Sequence, residues 1–367
     1  MIRRLLVTGG AGFIGSNFVD HWCNNYPRDR VVVLDALTYA GNRANLHQWE
    51  DQENFRFVRG DICDTSLVEE LLQAEDISTI VHFAAESHVD RSILEPRAFV
   101  ETNVMGTLTL LNAFRDRWMS GGKSDNYLFL HVSTDEVYGS LNSVDLPFTE
   151  TTPYAPNSPY SASKAGSDHL VRAYHHTYQL PTIITNCSNN YGAYQFPEKL
   201  IPLMCINMIC GKPLPIYGDG KNVRDWLYVE DHCRALDVVI RKGKAGETYN
   251  IGGNNEVENI QLVQTLCSLM DELADDLSLP VTPCTDLIQF VKDRPGHDRR
   301  YAIDASKMKH QLGWTPTVDI TSGLRLTAQW YLSHRSWWQS LLSAEYQTYY
   351  DSVYGNGHRP ATSDRNV

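Results

Sequence analysis

The first half of the chain alternates short runs rich in β-branched residues with stretches long enough to be helices. Parallel strands joined by helical crossovers accommodate that rhythm. Strands are predicted near residues 3–8, 31–34, 55–58, 79–83, 127–133 and 182–185, with helices near 13–24, 66–73, 96–117 and 161–178. Helices of that length cover both faces of the sheet, so the class expected is α/β with a doubly wound parallel sheet. From about Asn189 the alternation fades, and turn-forming groups such as Gly218-Asp219-Gly220 and Gly252-Gly253-Asn254-Asn255 interrupt shorter segments. The expected division is a main domain over 1–188 and a smaller C-terminal lobe over 189–350, some of whose chain returns to the main domain. Residues 351–367, with Gly355, Gly357 and Pro360 among polar neighbours, are expected to form a frayed tail.

With 42% hydrophobic and 21% charged residues in 367, the chain has material for a large core or two joined lobes. A formal charge of −12 argues against a general binder of nucleic-acid backbones, which needs clustered Lys and Arg. A small anion is still accommodated where a few cations converge. No stretch approaches the roughly 18 uninterrupted apolar residues of a membrane span, and no secretion signal is visible. The eight cysteines are scattered, without a Cys-x-x-Cys pair or metal-ligand spacing. Reduced thiols, a cytoplasmic location and no metal site are expected.

Directly after the first strand, Thr8-Gly9-Gly10-Ala11-Gly12-Phe13-Ile14-Gly15 opens an amphipathic helix. Glycines 9, 12 and 15 permit a tight turn, close backbone approach to a pyrophosphate and helix-on-strand packing, while the helix N-terminus offers N–H donors to an anion. Asp35 lies 20 residues past Gly15 at the end of the next strand, where a carboxylate can accept both ribose hydroxyls and repel a 2′-phosphate. The pattern therefore points to NAD rather than NADP, with a turn cap as the alternative role of Asp35. Asp61-Ile62 and Phe83-Ala84-Ala85 occupy two further strand ends, where open α/β sheets bind ligands.

Tyr160 and Lys164 are four residues apart and share a helical face. A nearby cation and a nicotinamide ring would favour the phenolate, drawing a group of reference pKa about 10 toward neutrality so that it can exchange a proton with a sugar hydroxyl. Upstream, Ser133-Thr134-Asp135-Glu136-Val137-Tyr138-Gly139 follows an apolar strand, so its polar side chains fall at a sheet carboxyl end. On a continuing strand Asp135 and Glu136 would point to opposite faces, so joint action requires the strand to stop and turn here. Two adjacent carboxyls in an enclosed site favour one protonated and one ionised, which is what an elimination needs. A capped, solvated turn is the plainer alternative for the pair.

With these residues in place, the chain resembles the extended short-chain dehydrogenase/reductases over about residues 1–330. It is similar in particular to their dTDP-glucose 4,6-dehydratase branch. The Thr134-Asp135-Glu136 triplet, Ala85-Glu86-Ser87-His88-Val89-Asp90-Arg91-Ser92 and Arg224-Asp225-Trp226-Leu227-Tyr228-Val229-Glu230-Asp231-His232 carry the likeness. In similar 4-epimerases the Asp-Glu positions are not acidic. In related decarboxylases and GDP-mannose dehydratases the Asp position is typically Ser, so Asp135 picks the branch.

The resemblance implies a Rossmann-like sheet with a smaller lobe that binds a nucleotide-sugar, and a tightly held NAD regenerated in each turnover. Thr134 would hydrogen-bond the sugar, Tyr160 take the 4-hydroxyl proton and Lys164 hold the nicotinamide ribose. Glu136 would take the C5 proton while Asp135 protonates the departing 6-hydroxyl. The implied cofactor contacts are Gly9, Gly12, Phe13, Ile14, Gly15, Asp35, Thr38, Asp61, Ile62, Phe83, Ala84, Ala85, Thr102, Tyr160, Lys164 and Asn190. The implied substrate contacts are Ser87, Thr134, Asn189, Lys199, Leu200, Pro215, Tyr217, Arg224, Asn259, Asp293, Arg294 and His297, among which Lys199, Arg224 and Arg294 are the cations a diphosphate needs. Ser87 stands where relatives often carry Thr and keeps the hydroxyl. The resemblance also implies a homodimer formed through a four-helix bundle of 96–117 and 161–178. Another nucleotide-sugar dehydratase or decarboxylase, and a silent NAD-binding scaffold, are the alternatives.

Overall fold

A computed structural model describes residues 2–273, 279–293, 296–342 and 346. Seven strands, β1 (Arg4–Thr8), β2 (Arg30–Asp35), β3 (Phe55–Arg59), β4 (Thr79–His82), β5 (Leu128–Thr134), β6 (Thr182–Cys187) and β7 (Thr248–Ile251), form one sheet in the order β7-β6-β5-β4-β1-β2-β3. Every pair is parallel. The strand order reverses direction at β1, between β2 and β4, and a reversal of this kind opens a crevice at the carboxyl ends of the strands. Register brings those ends level: Thr8 lies opposite Leu34 on one side and His82 on the other, and Thr134 lies opposite Cys187.

Because side chains alternate along a strand, each strand feeds two cores. Leu5, Val7, Val31, Val33, Val81 and Leu130 pack with Phe18 and Trp22 of α1 (Phe13–Asn25) on one face of the sheet. On the other face Leu6, Val32, Leu34, Ile80 and Phe129 meet Leu71 and Leu72 of α2 (Thr65–Ala74), Leu110 and Phe114 of α3 (Thr107–Ser120), and Val171 of α4 (Pro159–Tyr178). The first face is completed by Leu236 and Val239 of α5 (Val229–Lys242). Each fully buried Leu, Val or Phe contributes roughly 1.5–3 kcal/mol, so continuous apolar strands are the cheapest way to fill a sheet covered on both sides.

The helix predicted over 96–117 is not uniform. A short α-helix, Pro96–Phe99, runs into a π-helical stretch, Val100–Gly106, before α3 begins. Asn103 is the cause: its side chain accepts from Glu86 N at 2.9 Å and donates to Glu86 O at 3.0 Å, while the Thr107 hydroxyl donates to Asn103 O at 2.6 Å. The backbone widens to satisfy those bonds. The pattern also hid β7, whose four residues pair with β6 through Thr248–Ile184 to Ile251–Cys187.

The chain divides into two compact units. The first contains residues 1–194, 224–256 and 298–319, hence the whole seven-stranded sheet. The second contains residues 195–223 and 257–297 and the chain from Ile320 onward. Its core comes from helix Leu200–Cys210, almost wholly buried, with Leu262, Val263 and Leu266 of helix Asn259–Leu273 and Leu324, Ala328 and Tyr331 of helix Ile320–Ser333. Strands Leu214–Tyr217 and Ile288–Val291 pair in parallel beside them. The tail expected over 351–367 lies outside the described residues, and among those described no helix is long and apolar enough to cross a membrane.

Gly9 has φ +69°, and a Cβ there would stand 2.6 Å from Ala84 N. Gly122 shares the backbone strain, at φ +75°, but has nothing within 4 Å of the added atom. Urea denaturation is expected to show Gly9→Ala losing roughly 2–4 kcal/mol, strain plus overpacking, and Gly122→Ala only about 1–2 kcal/mol. Equal losses would mean that the approach of the β1 and β4 loops is not a packing constraint.

Candidate active site

The turn after β1 is built for close approach. Gly9 lets it run against the loop after β4, and a Cβ on Gly15 would stand 2.2 Å from Gly9 O, so α1 sits directly on the turn. Gly12 differs: an added Cβ would meet only Gly9 O, at 3.3 Å, leaving its outer side clear of protein atoms. Gly12 is also the N-cap of α1, with no capping side-chain bond and no acidic residue in the first turn, where Phe13 and Ile14 lie. A helix N-terminus left open in this way fits a phosphate. At the end of β2, Asp35 is buried and accepts from Ala11 N at 2.9 Å and Leu37 N at 2.8 Å. Burial, the largest influence, raises its pKa, and those two N–H groups oppose the rise. Asp35 thus acts as a turn cap and keeps further lone pairs for ribose hydroxyls, so these residues fit a dinucleotide.

β5 stops at Thr134, and a 3-10 turn, Asp135–Tyr138, follows at once. Thr134 caps it, its hydroxyl accepting from Glu136 N at 3.3 Å. Behind the turn, the Tyr138 hydroxyl donates to Asn250 Oδ1 at 2.9 Å and its ring stacks on Phe148. The strand therefore ends where joint action of Asp135 and Glu136 requires. Asp135 is only 2% exposed, and its Oδ2 has no hydrogen-bond partner among the described residues. Burial, then the neighbouring Glu136 and Asp225, push its carboxyl well above the ordinary range, against the pull of Arg224. The protonated form of Asp135 is favoured accordingly.

Helix α4 carries Tyr160 and Lys164. Ser158 and Ser161 form a reciprocal capping box, and Pro159 occupies the first turn, which fixes the start of the helix one residue before the tyrosine. Both side chains are buried, and Tyr160 is within hydrogen-bond reach of Thr134. The expected lowering of the phenol pKa is not found in the protein alone. Burial, then Glu136 and Cys187, raise Tyr160 well above its ordinary value, and Lys164 Nζ donates to Val132 O at 2.9 Å. Burial lowers Lys164 itself, while Asp168 counteracts.

Other expected positions in the first unit follow strands or lie on neighbouring elements. Phe83, Ala84 and Ala85 follow β4 directly, with Phe83 N donating to Thr8 O at 3.0 Å; Ser87 comes two residues later. Ile62 is buried and Asp61 exposed after β3, Thr38 is exposed after β2, and Thr102 lies in the π-helical stretch. Asn189 pairs with Trp226, and its Oδ1 is buried without a partner among the described residues. Asn190 is fixed by the buried His232, 2.9 Å from its Oδ1. Arg224 is 6% exposed, donates to Asp298 O at 2.9 Å and lies over the Tyr301 ring. In the second unit, Lys199 caps the helix that Leu200 opens, and Asn259 begins another. Pro215 and Tyr217 share a strand, and His297 stands edge-on to Tyr217 with its Nδ1 2.6 Å from Asp293 Oδ1. Arg294 lies outside the described residues.

Sequence reasoning passed over the buried polar groups beneath these residues. Asp225 accepts from Gly253 N at 2.8 Å and Asn255 N at 2.6 Å. Asp168, one helical turn beyond Lys164, accepts from Ser133 and Tyr154. The i+4 step from Lys164 is the available signal for Asp168, and for Asp225 it is its place in the motif from Arg224 to His232.

The family described as GDP-mannose 4,6 dehydratase matches residues 6–327. A dTDP-glucose 4,6-dehydratase of Neisseria meningitidis serogroup B is 55% identical over 348 residues, covering 94% of this chain and 98% of the relative. One from Xanthomonas campestris pv. campestris is 57% identical, covering 93% and 97%. The crystal structure of dTDP-glucose 4,6-dehydratase from Bacillus anthracis in complex with NAD superimposes with a TM-score of 0.81 at 48% identity, over 92% of this chain and 99% of that one. With a parallel sheet, an open helix N-terminus and a strand-end acid pair in common with what that likeness requires, the chain belongs to the extended short-chain dehydrogenase/reductases, in the family of the dTDP-glucose 4,6-dehydratases.

Proposed function

We propose that the chain is an NAD-dependent hydro-lyase that converts dTDP-glucose to dTDP-4-keto-6-deoxy-glucose with loss of water. The observation that carries this reading is Asp135, a buried acid with one oxygen unpartnered, next to Glu136 and close to Tyr160. An epimerase has no use for such a pair; a dehydratase needs a proton donor and a proton acceptor side by side.

Gly9, Gly12, Gly15 and Asp35 would hold the pyrophosphate and ribose of NAD, with Lys164 at the nicotinamide ribose. When bound, NAD supplies the hydride acceptor for sugar C4 and the hydride donor for C6, and the charge of its oxidised ring favours the Tyr160 phenolate. Tyr160 takes the proton of the 4-hydroxyl, with Thr134 holding the oxygen. The 4-keto group then acidifies C5–H, which Glu136 removes. Asp135 gives its proton to the 6-hydroxyl as it leaves as water, and Glu136 returns its own to C5. Arg224, Lys199 and the group of Tyr217, Asp293 and His297 are assigned to the nucleotide. Eight free cysteines fit a cytoplasmic enzyme. Leu94, Val100, Met105, Met119 and Tyr178, apolar and exposed on the helices before β5 and on α4, fit a homodimer through a four-helix bundle.

With dTDP-glucose, Asp135→Asn and Glu136→Gln are both expected to reduce bound coenzyme, seen as NADH absorbance, yet lose water about 100-fold more slowly or worse. Only Glu136→Gln should also lose solvent deuterium exchange at C5; normal turnover in either variant would reassign the acid and base. Asp135 also sets a stability trend. Its folded pKa lies above the 3.8 of the free side chain, so the folded state binds the extra proton and stability falls as pH rises through that window. Asp135→Asn should therefore melt above the wild type at about pH 8 and level with it at about pH 3; a lower melting point at the higher pH would show that the carboxyl is paired. Sedimentation should give a particle of twice 41.6 kDa, shifting toward single chains in Val100→Glu; a wild type sedimenting as one chain would remove the bundle.

A further inference from the structure

We propose that Asp168 is a positioning residue for the dehydratase reaction: its buried carboxylate is the counter-ion that keeps Lys164 charged and, through Ser133, clamps the strand from which Thr134, Asp135 and Glu136 follow. Asp168 is 1% exposed and one helical turn beyond Lys164 on α4. Its Oδ2 accepts from Ser133 Oγ and from the Tyr154 hydroxyl, both at 2.9 Å, and its Oδ1 lies 3.1 Å from His131 Nε2. Lys164 Nζ donates to Val132 O at 2.9 Å. Two consecutive residues of β5, Val132 and Ser133, are thus hydrogen-bonded to one turn of α4, with His131 lying beside it. The next carbonyl, Thr134 O, accepts from Asn186 Nδ2 at 3.0 Å, and Asn186 also reaches the Tyr154 hydroxyl. The catalytic triplet begins where this clamp ends.

The charges around the pair leave Asp168 as the anion. From β4, His82 is driven well below its ordinary value by burial, and from β5, His131 falls to about 4 for the same reason, so both are neutral. From β6, the Cys187 thiol is pushed up to about 12. Tyr138 and Tyr154, and Tyr160 on α4 itself, are all raised by burial and stay neutral. Asp168 alone among these moves the other way: His131, Lys164 and Ser133 outweigh its burial and hold it below the usual carboxylate range. A buried ammonium whose carboxylate is removed loses its proton at lower pH.

The proposal rests on the dehydratase reading, and its test separates the two. Reduction of bound coenzyme by dTDP-glucose, followed in single turnovers against pH, requires a charged Lys164 and so falls at high pH. Asp168→Asn keeps an oxygen to accept from Ser133 and Tyr154 but no charge. Its alkaline limb should lie lower than the wild type's by about one pH unit or more. Ser133→Ala, which removes one bond to the carboxylate but not its charge, should keep the wild-type limb. An Asp168→Asn limb coincident with the wild type's overturns the proposal. Absence of any coenzyme reduction in the wild type would sink the dehydratase reading instead. A second readout needs neither turnover nor a folded Asp168→Asn: in protein with 13Cε-labelled lysine, the Lys164 signal, identified by its loss in Lys164→Arg, should be that of an ammonium at neutral pH. A neutral amine there overturns the proposal.

Discussion

The structure depends on one electrostatic constraint. Asp135 and Glu136 are consecutive residues, and Asp135 is buried in surroundings that also contain Asp225. Burial, Glu136 and Asp225 favour the protonated form of that carboxyl over the opposing pull of Arg224. A proton held there separates a dehydratase from scaffolds that only move a hydride, because the departing hydroxyl needs a donor. Everything around it keeps Asp135 buried and correctly aimed: the abrupt end of β5, the Thr134 cap, and the Tyr138 and Asn250 bond that anchors the far side of the turn.

A parallel sheet is the natural platform for this arrangement. Its register sets the carboxyl ends of β1, β2, β4, β5 and β6 side by side, so the glycine turn, Asp35, the loop after β4 and the acid pair converge without long loops. The cost is a set of polar groups buried beneath the strand ends. Several are answered: His82 bridges the hydroxyls of Thr8 and Thr107 at 2.7 and 3.0 Å, and Asn103 ties the loop at Glu86 to Ser163 on α4. Groups satisfied in this way hold a reactive geometry rigid. Asp135 Oδ2, like Asn186 Oδ1 and Asn189 Oδ1, has no such partner among the described residues.

Much of this was legible in the sequence, for identifiable reasons. The strands β1 to β6 declared themselves because a sheet covered on both faces needs unbroken apolar runs such as Leu5-Leu6-Val7 and Val31-Val32-Val33-Leu34. Gly9, Gly12 and Gly15 were readable because backbone geometry, not side-chain chemistry, restricts what can stand there. β7 was not, since four residues carry little periodicity and its partner β6 is more than sixty residues away in the chain. The π-helical stretch followed from Asn103 reaching back to Glu86, a tertiary bond that no local pattern encodes. For Tyr160 the spacing puts Lys164 on the same helical face, but the effect of a nicotinamide ring on the phenol is not a property of the chain alone, in which burial governs the phenol.

The central claim is that Asp135 carries a proton at neutral pH. Infrared difference spectra between the wild type and Asp135→Asn measure this directly, because a protonated carboxyl has a C=O stretch well separated from carboxylate bands. A protonated-acid band at about pH 7, present in the wild type and missing from the variant, is the result predicted. A wild type showing only carboxylate absorption, titrating in the ordinary aspartate range, would contradict it.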